Sequence, residues 1–359
     1  MKFLTEYRNA EWVKRYLAAI EKIATKRWNI MEICGGQTHS LVKNGLLELL
    51  PENISMIHGP GCPVCVTSTS LIDKAVSLME QGVVVCSFGD MVRVPGSRKS
   101  LLEAKAEGGK LKVLYSPLEA VRIAKENPDE QVVFFAVGFE TTAPGNALSV
   151  FQAHKLGLEN FSLLVSQVLV IPAMESILRD PFCNVDAFLG AGHVCSITGY
   201  RNYIPLAETY KVPVVVSGFE PVDLLRAIYH AVLQLEHGRH EVENCYERIV
   251  SAAGNTHAKK IMDEVFETGA QEWRGIGTIP DSGLVLKEKY EKFDAAKKFS
   301  IKSNEISIRN QCIAGEILKG IKKPVECPEF GKKCNPSHPI GAPMVSSEGA
   351  CAAYYNYCR

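Results

Sequence analysis

Three cysteines stand in segments whose residue types suit chemistry better than packing. Cys34 opens Cys34-Gly35-Gly36-Gln37-Thr38-His39, and Cys62 and Cys65 close His58-Gly59-Pro60-Gly61-Cys62-Pro63-Val64-Cys65. Each segment follows a short apolar run that reads as a strand, so both sit at a strand's C-terminal end, where α/β sheets place their ligand sites. The paired glycines allow close backbone approach. A helix starting near Thr38 would aim free N–H groups at Cys34 and favour a thiolate or a bound anion. His39 could ligate metal, shuttle a proton or donate to a ligand, and an ordinary capping or core histidine is an equal reading. Cys62-x-x-Cys65 has the spacing of a redox-active dithiol. The structural alternatives are a buried thiol in a tight turn for Cys34 and a structural knuckle for Cys62 and Cys65.

A second group lies near the other end: Cys312, Cys327, Cys334, Cys351 and Cys358, five of the chain's twelve cysteines. The surrounding residues are rich in Pro and Gly and poor in apolar side chains, and such a segment usually needs a metal staple. Four thiolates on iron hold a [4Fe–4S] cluster, and zinc is the competing metal. The wide intervals contain no short knuckle, which favours iron–sulfur over zinc. Cys358 adjoins the terminus, where chains fray, so the expected ligands are Cys312, Cys327, Cys334 and Cys351. Cys86, Cys183 and Cys245 have no cysteine neighbour at ligand spacing and read as small buried hydrophobes. Cys195 lies in a Gly/His-rich turn and stays open.

The whole chain must position these groups. It has 359 residues, 46% of them hydrophobic, enough for a sizeable core and two or three domains. Lys+Arg and Asp+Glu balance at 40 each, which gives no footprint for nucleic acid or an anionic membrane. The N-terminal residues are charged throughout, and the longest apolar region, Leu163 to Met174, is broken by Ser166, Gln167 and Pro172. The expectation is a cytoplasmic protein, in whose reducing surroundings many cysteines point to metal or thiol chemistry rather than structural disulfides.

Short Val/Ile-rich runs alternate with helix-like stretches, the pattern of parallel strands in βαβ units. The first set is Ile30–Ile33, Ile54–His58, Val83–Ser87 and Lys112–Tyr115, and the second is Val132–Val137, Ser162–Val168, Val185–Leu189 and Pro213–Ser217. The expected fold is α/β: two similar domains with small parallel sheets flanked by helices, plus a C-terminal iron–sulfur domain. Their expected spans are 1–125, 126–235 and a helical or irregular 236–359, with helices from Pro221 to about His237 and from Glu241 to Ser251. Gly138-Phe139-Glu140 and Gly218-Phe219-Glu220, each directly after a strand, are a small echo between the halves. Further strand-end candidates are Asp90, Arg93, Glu140, His193, Glu220 and Asp223, each as readily a helix cap as a functional group.

Together, the Cys34–His39 run, Gly59-Pro-Gly-Cys-Pro-Val-Cys65, Gly-Phe-Glu-Thr-Thr-Ala-Pro and Met344-Val-Ser-Ser-Glu-Gly-Ala-Cys351-Ala-Ala-Tyr-Tyr closely resemble the HypD family of hydrogenase maturation factors. The resemblance covers essentially the whole chain. It implies a scaffold, formed with a small HypC-like chaperone, on which an iron destined for [NiFe] hydrogenase receives cyanide and carbon monoxide. Cyanide would arrive from a HypE-like donor supplied by HypF. The resemblance further implies Cys34 as a transient iron ligand with His39 nearby, a Cys62/Cys65 dithiol, and one [4Fe–4S] cluster on Cys312, Cys327, Cys334 and Cys351. Some relatives carry a cysteine where this chain has Pro343, which leaves Cys312 and Cys358 as alternatives for one ligand. Soft thiolates suit an iron bearing carbon ligands. The competing function is an iron–sulfur-dependent thiol–disulfide oxidoreductase, which needs the same cysteines but neither Cys34 nor His39. A radical enzyme using S-adenosylmethionine would need three closely spaced cysteines that the chain lacks.

Overall fold

Seven mostly apolar runs of four to seven residues, largely buried on both faces, and two three-residue edge strands build two parallel sheets among the described residues. The computed structural model of the chain describes residues 5–299, 301 and 312–358. The first sheet contains β1 (Trp28–Glu32) and β2 (Ile54–His58). The second is built from β3 (Val84–Ser87), β4 (Leu111–Val113), β5 (Val132–Gly138) and β6 (Phe161–Gln167). The chain then returns to the first sheet with β7 (Ala187–Ala191), β8 (Val214–Ser217) and β9 (Val242–Asn244). The strand orders are β2-β1-β7-β8-β9 and β4-β3-β5-β6, with every pairing parallel.

The α/β class with parallel sheets flanked by helices is as expected, but the strands do not group in chain order. The two strand sets expected within 1–125 and 126–235 exchange members: β1 and β2 pair with the late strands, while the middle four strands form a sheet of their own. The physical reason lies in pairing that sequence does not display. The apolar run of β1 can hydrogen-bond on both edges, and β7 occupies the one that β2 leaves free. The Gly-Phe-Glu echo accordingly follows β5, the third strand its sheet adds, and β8, the fourth of the other, so the two do not occupy equivalent places. The segment expected as a helix from Glu241 to Ser251 instead supplies the edge strand β9, because Val242, Glu243 and Asn244 pair with Val214–Val216. The expected helix from Pro221 is present as Pro221–Glu236.

The glycine-rich segments around Trp273 and Asp281 form an antiparallel hairpin, β10 (Phe266–Trp273) and β11 (Gly277–Leu286). Trp273 is fully buried and its indole N–H donates to Ser282 Oγ at 2.8 Å. The hairpin ties distant segments together: Arg274 N–H donates to Val66 C=O and Leu169 N–H to Ser282 C=O. One apolar core joins Met31, Phe188 and Val214 of the first sheet to Phe139 and Val168 beyond the second, with Trp273 and Ile279 of the hairpin. Among the described residues, no helix is long and apolar enough to cross a membrane.

Candidate metal centre at the Cys34 turn

In the first sheet the strand order reverses at β1, with β2 on one side and β7 on the other. The crevice at such a switch point is where an open α/β sheet binds its ligand, and Cys34 lies just past β1 at that point. The helix Gly35–Lys43 begins at once, with Cys34 in extended conformation (φ −143°, ψ 120°) as its cap. It therefore starts earlier than the expected Thr38. Backbone N–H groups of Gly36 and Gln37 lie against the Cys34 thiol and favour its ionised form, but they lose. Burial, the Glu348 charge and the Glu32 charge push the thiol up to about 12. The helix start favours a thiolate as expected, but its two dipoles do not offset desolvation and two carboxylates in the protein by itself. A thiol held this way is a weak nucleophile by itself, and a bound cation is what would ionise it.

Three separate motifs meet at Gly35. A Cβ placed there would stand 2.6 Å from Glu348 Cβ and 3.2 Å from Cys62 Cβ. Gly35 N–H donates to Gly61 C=O at 3.0 Å, and Gly59 N–H donates to Glu32 C=O at 2.9 Å. Cys62 and Cys65, both buried, are joined by a disulfide across a Cα–Cα distance of 5.2 Å. Gly36 lies under the ring of Phe219, which stacks on His193 with centroids 3.8 Å apart. Loops after β1, β2 and β8, the His193 turn after β7, and the tail before Cys351 are thus drawn to one place. His39 turns to the tail: its Nδ1 pairs with Ser347 C=O at 3.0 Å, and its ring packs edge-on against Tyr357.

Sequence reasoning gave no role to the groups that hold this turn. Glu32 is fully buried and one of its oxygens accepts from Cys34 N–H at 3.0 Å. The other accepts from the Thr38 hydroxyl and from His58 Nδ1, the latter at 2.8 Å. Because a carboxylate only accepts, the shared proton is assigned to Nδ1, leaving His58 Nε2 to accept from the Tyr354 hydroxyl at 3.0 Å. Burial raises the Glu32 carboxyl, against the opposing pull of His58, Thr38 and the Cys34 amide. A signal was present: β1 and β2 are apolar runs that end in an acid and an imidazole, and the register puts Glu32 opposite His58. Glu348 was likewise part of a quoted motif without a role.

The remaining strand-end candidates divide. Asp90 accepts from Ser346 Oγ at 2.8 Å and Arg93 donates to Val345 C=O, so both grip the tail. Glu220 and Asp223 cap the helix Pro221–Glu236 and pair with Arg8 and Arg248. Glu140 is buried, accepts from Val170 N–H through one oxygen, and has no partner for the other. Burial lifts its carboxyl to about 7. A group raised in the fold contributes most below its unfolded value of about 4.5, and that contribution is lost as pH rises through about 7. Chemical denaturation across this range is expected to show a loss of about 3 kcal/mol at most, flattened in Glu140→Gln.

The C-terminal thiols form their own neighbourhood. Burial raises the Cys351 thiol, and Cys312, Cys334 and Cys327 raise it further. Cys312 is likewise raised by burial, then by Cys334 and Cys327. Cys358 stands apart: it packs near Val42 and Tyr354, and the charge that acts on it is Glu48. Among the described residues, no group of three or more His, Cys, Asp or Glu side chains is arranged to hold a metal ion as it stands. The four thiols lie near enough to act on one another, and their donors are of the type that holds iron–sulfur clusters or zinc. Cys86 and Cys245 are buried among apolar side chains, as expected. Cys195 is buried beside Tyr203 in the core that Cys34 packs against.

The fold and site define a cysteine-rich α/β protein whose strand-end loops gather thiols at a sheet switch point. Comparison with known proteins narrows the class. Residues 11–358 match HypD, described as the hydrogenase formation hypA family, and the chain belongs to that family. It is 44% identical over 369 residues to the hydrogenase maturation factor HypD of Azotobacter vinelandii, covering 100% of this chain and 97% of that protein. It is 43% identical over 366 residues to the HypD of Escherichia coli strain K12, covering 99% and 98%. The HypD of Rhodobacter capsulatus is 42% identical over 370 residues, with the same two shares, 99% and 98%.

Proposed function

We propose that this chain is a hydrogenase maturation factor that presents Cys34 to an iron while that iron receives its diatomic ligands. The observation that carries the reading is the meeting at Gly35 of the Cys34 turn, the Cys62–Cys65 loop and Glu348. An oxidoreductase needs only the disulfide and a path for electrons, whereas this arrangement sets a third thiol and a carboxylate in the same crevice. Iron is the cargo, and Cys34 supplies a soft donor suited to it. A HypC-like chaperone would complete the iron's coordination, and a HypE-like donor would bring cyanide to the open face.

The disulfide is a two-electron store: taking up two electrons and two protons opens it to two thiols. The quartet Cys312, Cys327, Cys334 and Cys351 would hold a [4Fe–4S] cluster, which supplies single electrons when bound. The cytoplasm is the proposed location.

Infrared spectroscopy on the anaerobically purified complex with a HypC-like partner tests the reading. Bands of iron-bound cyanide and carbon monoxide are expected in the natural protein and absent in Cys34→Ala. Bands that persist in Cys34→Ala defeat Cys34 as the holder. Thiol–disulfide exchange without such bands would favour the oxidoreductase.

A further inference from the structure

The helix Ala350–Tyr357 carries Cys351 and Tyr354 three positions apart, on neighbouring places of one face. From Tyr354 an unbroken chain of hydrogen bonds runs through His58 and Glu32 to Cys34 N–H and the Thr38 hydroxyl. Tyr354, His58, Thr38 and Glu32 are only 7%, 5%, 2% and 0% exposed. In such surroundings water cannot replace a broken bond, so a shift of one member leaves a buried group unpaired or moves the next. Glu32 also has a particular placement. It clamps the turn at residues 34 and 38, on either side of the Gly36 and Gln37 N–H groups that face the Cys34 thiol.

We propose that Glu32, His58 and Tyr354 are positioning residues that make the readiness of the Cys34 turn depend on whether the cysteine quartet is filled. The inference rests on reading the quartet as a metal site. Cys312, Cys334 and Cys327 already act on the Cys351 thiol, and on this proposal filling the quartet draws Cys351 toward them. A hydrogen-bonded helix of eight residues moves with Cys351 as a body and carries Tyr354 along. The displacement reaches Cys34 through His58 and Glu32, beside the direct packing of this helix on the Gly35–Lys43 helix, and Tyr354→Phe removes only the first route. The consequence is an order of assembly, in which the turn adopts its iron-receiving geometry only in a chain whose quartet is complete.

Alkylation of the folded full-length protein by iodoacetamide, mapped by peptide mass, tests this. The rate at Cys34 is compared between cluster-loaded and chelator-stripped protein, with half-buried Cys183 as an internal reference for general loosening. The natural protein is expected to show about a fivefold difference at Cys34, the population change carried by one hydrogen bond. Tyr354→Phe keeps the ring and loses only the hydroxyl. It is expected to retain the visible absorbance of the cluster while the difference at Cys34 falls below about twofold. A difference that persists in loaded Tyr354→Phe, or a parallel change at Cys183, overturns the proposal. So does a loaded natural protein whose Cys34 rate does not respond. If the natural protein takes up no cluster, the reading of the quartet fails and the assembly order falls with it. The clamp is then judged on the empty protein, where His58→Gln must shift Cys34 relative to Cys183 by about fivefold or be rejected.

Discussion

Gly61→Ala is expected to abolish hydrogenase maturation and to destabilise the fold by about 4–5 kcal/mol, at the upper end for a single substitution. The added methyl would lie 2.3 Å from Cys34 N, 2.3 Å from Ile33 C and 2.4 Å from Ile33 O. These are main-chain atoms of the residues that aim the Cys34 thiol, and no rotamer change relieves the collision. The two loops would have to separate, breaking the bond from Gly35 N–H to Gly61 C=O and parting Cys62 from the turn. Gly89→Ala is the control: its added carbon meets only Val113 Cγ1, at 3.8 Å, an ordinary contact. Chemical denaturation should show little change for Gly89→Ala and a large one for Gly61→Ala. Equal behaviour of the two would mean that close approach of these loops is not what the glycine supplies.

The cysteine segments of the site were legible in sequence because their chemistry is local. Cys34 among glycines and the Cys62-x-x-Cys65 spacing are visible within a few residues, and both follow strands where apolar runs end. What could not be read was pairing. β7 lies more than 150 residues from β1 yet takes its free edge, since parallel pairing leaves no mark of register on runs buried on both faces. For the same reason the chain's departure to build a second sheet, and its return, were hidden. Glu32 and His58 were missed because each looks like an ordinary polar strand end, and only the register that sets them opposite each other makes a pair. His39 read equally as a ligand or an ordinary histidine, and it faces the tail, since its place on the Gly35–Lys43 helix points it at Ser347 and Tyr357. The net effect on the Cys34 thiol could not be read because the helix start is a local feature, whereas the burial that raises the thiol, and Glu348 after it, come from distant parts of the chain.

Among the C-terminal cysteines, Cys351→Ser is expected to remove nearly all bound iron, about four atoms per chain, and Cys358→Ser to remove none. Cys351 lies in the first turn of the helix Ala350–Tyr357 and Cys358 caps its end, and they differ in what surrounds them. Cys351 lies among Cys312, Cys327 and Cys334, while Cys358 lies toward Val42 and feels Glu48. A serine oxygen is a harder donor than a thiolate and holds iron–sulfur clusters less well. Gly341→Ala should mimic the loss without deleting a thiol, because the added carbon would stand 2.3 Å from Cys312 Sγ and displace it. Elemental analysis with visible spectra of anaerobically purified variants separates the outcomes. About one zinc per chain, lost equally in Cys351→Ser and Gly341→Ala, would keep the quartet and change the metal. Iron that survives Cys351→Ser but is lost in Cys358→Ser would move the centre to the helix's other end. Tyr354 would then lie between the centre and Cys34 from the opposite side, and the coupling through His58 would need a different lever.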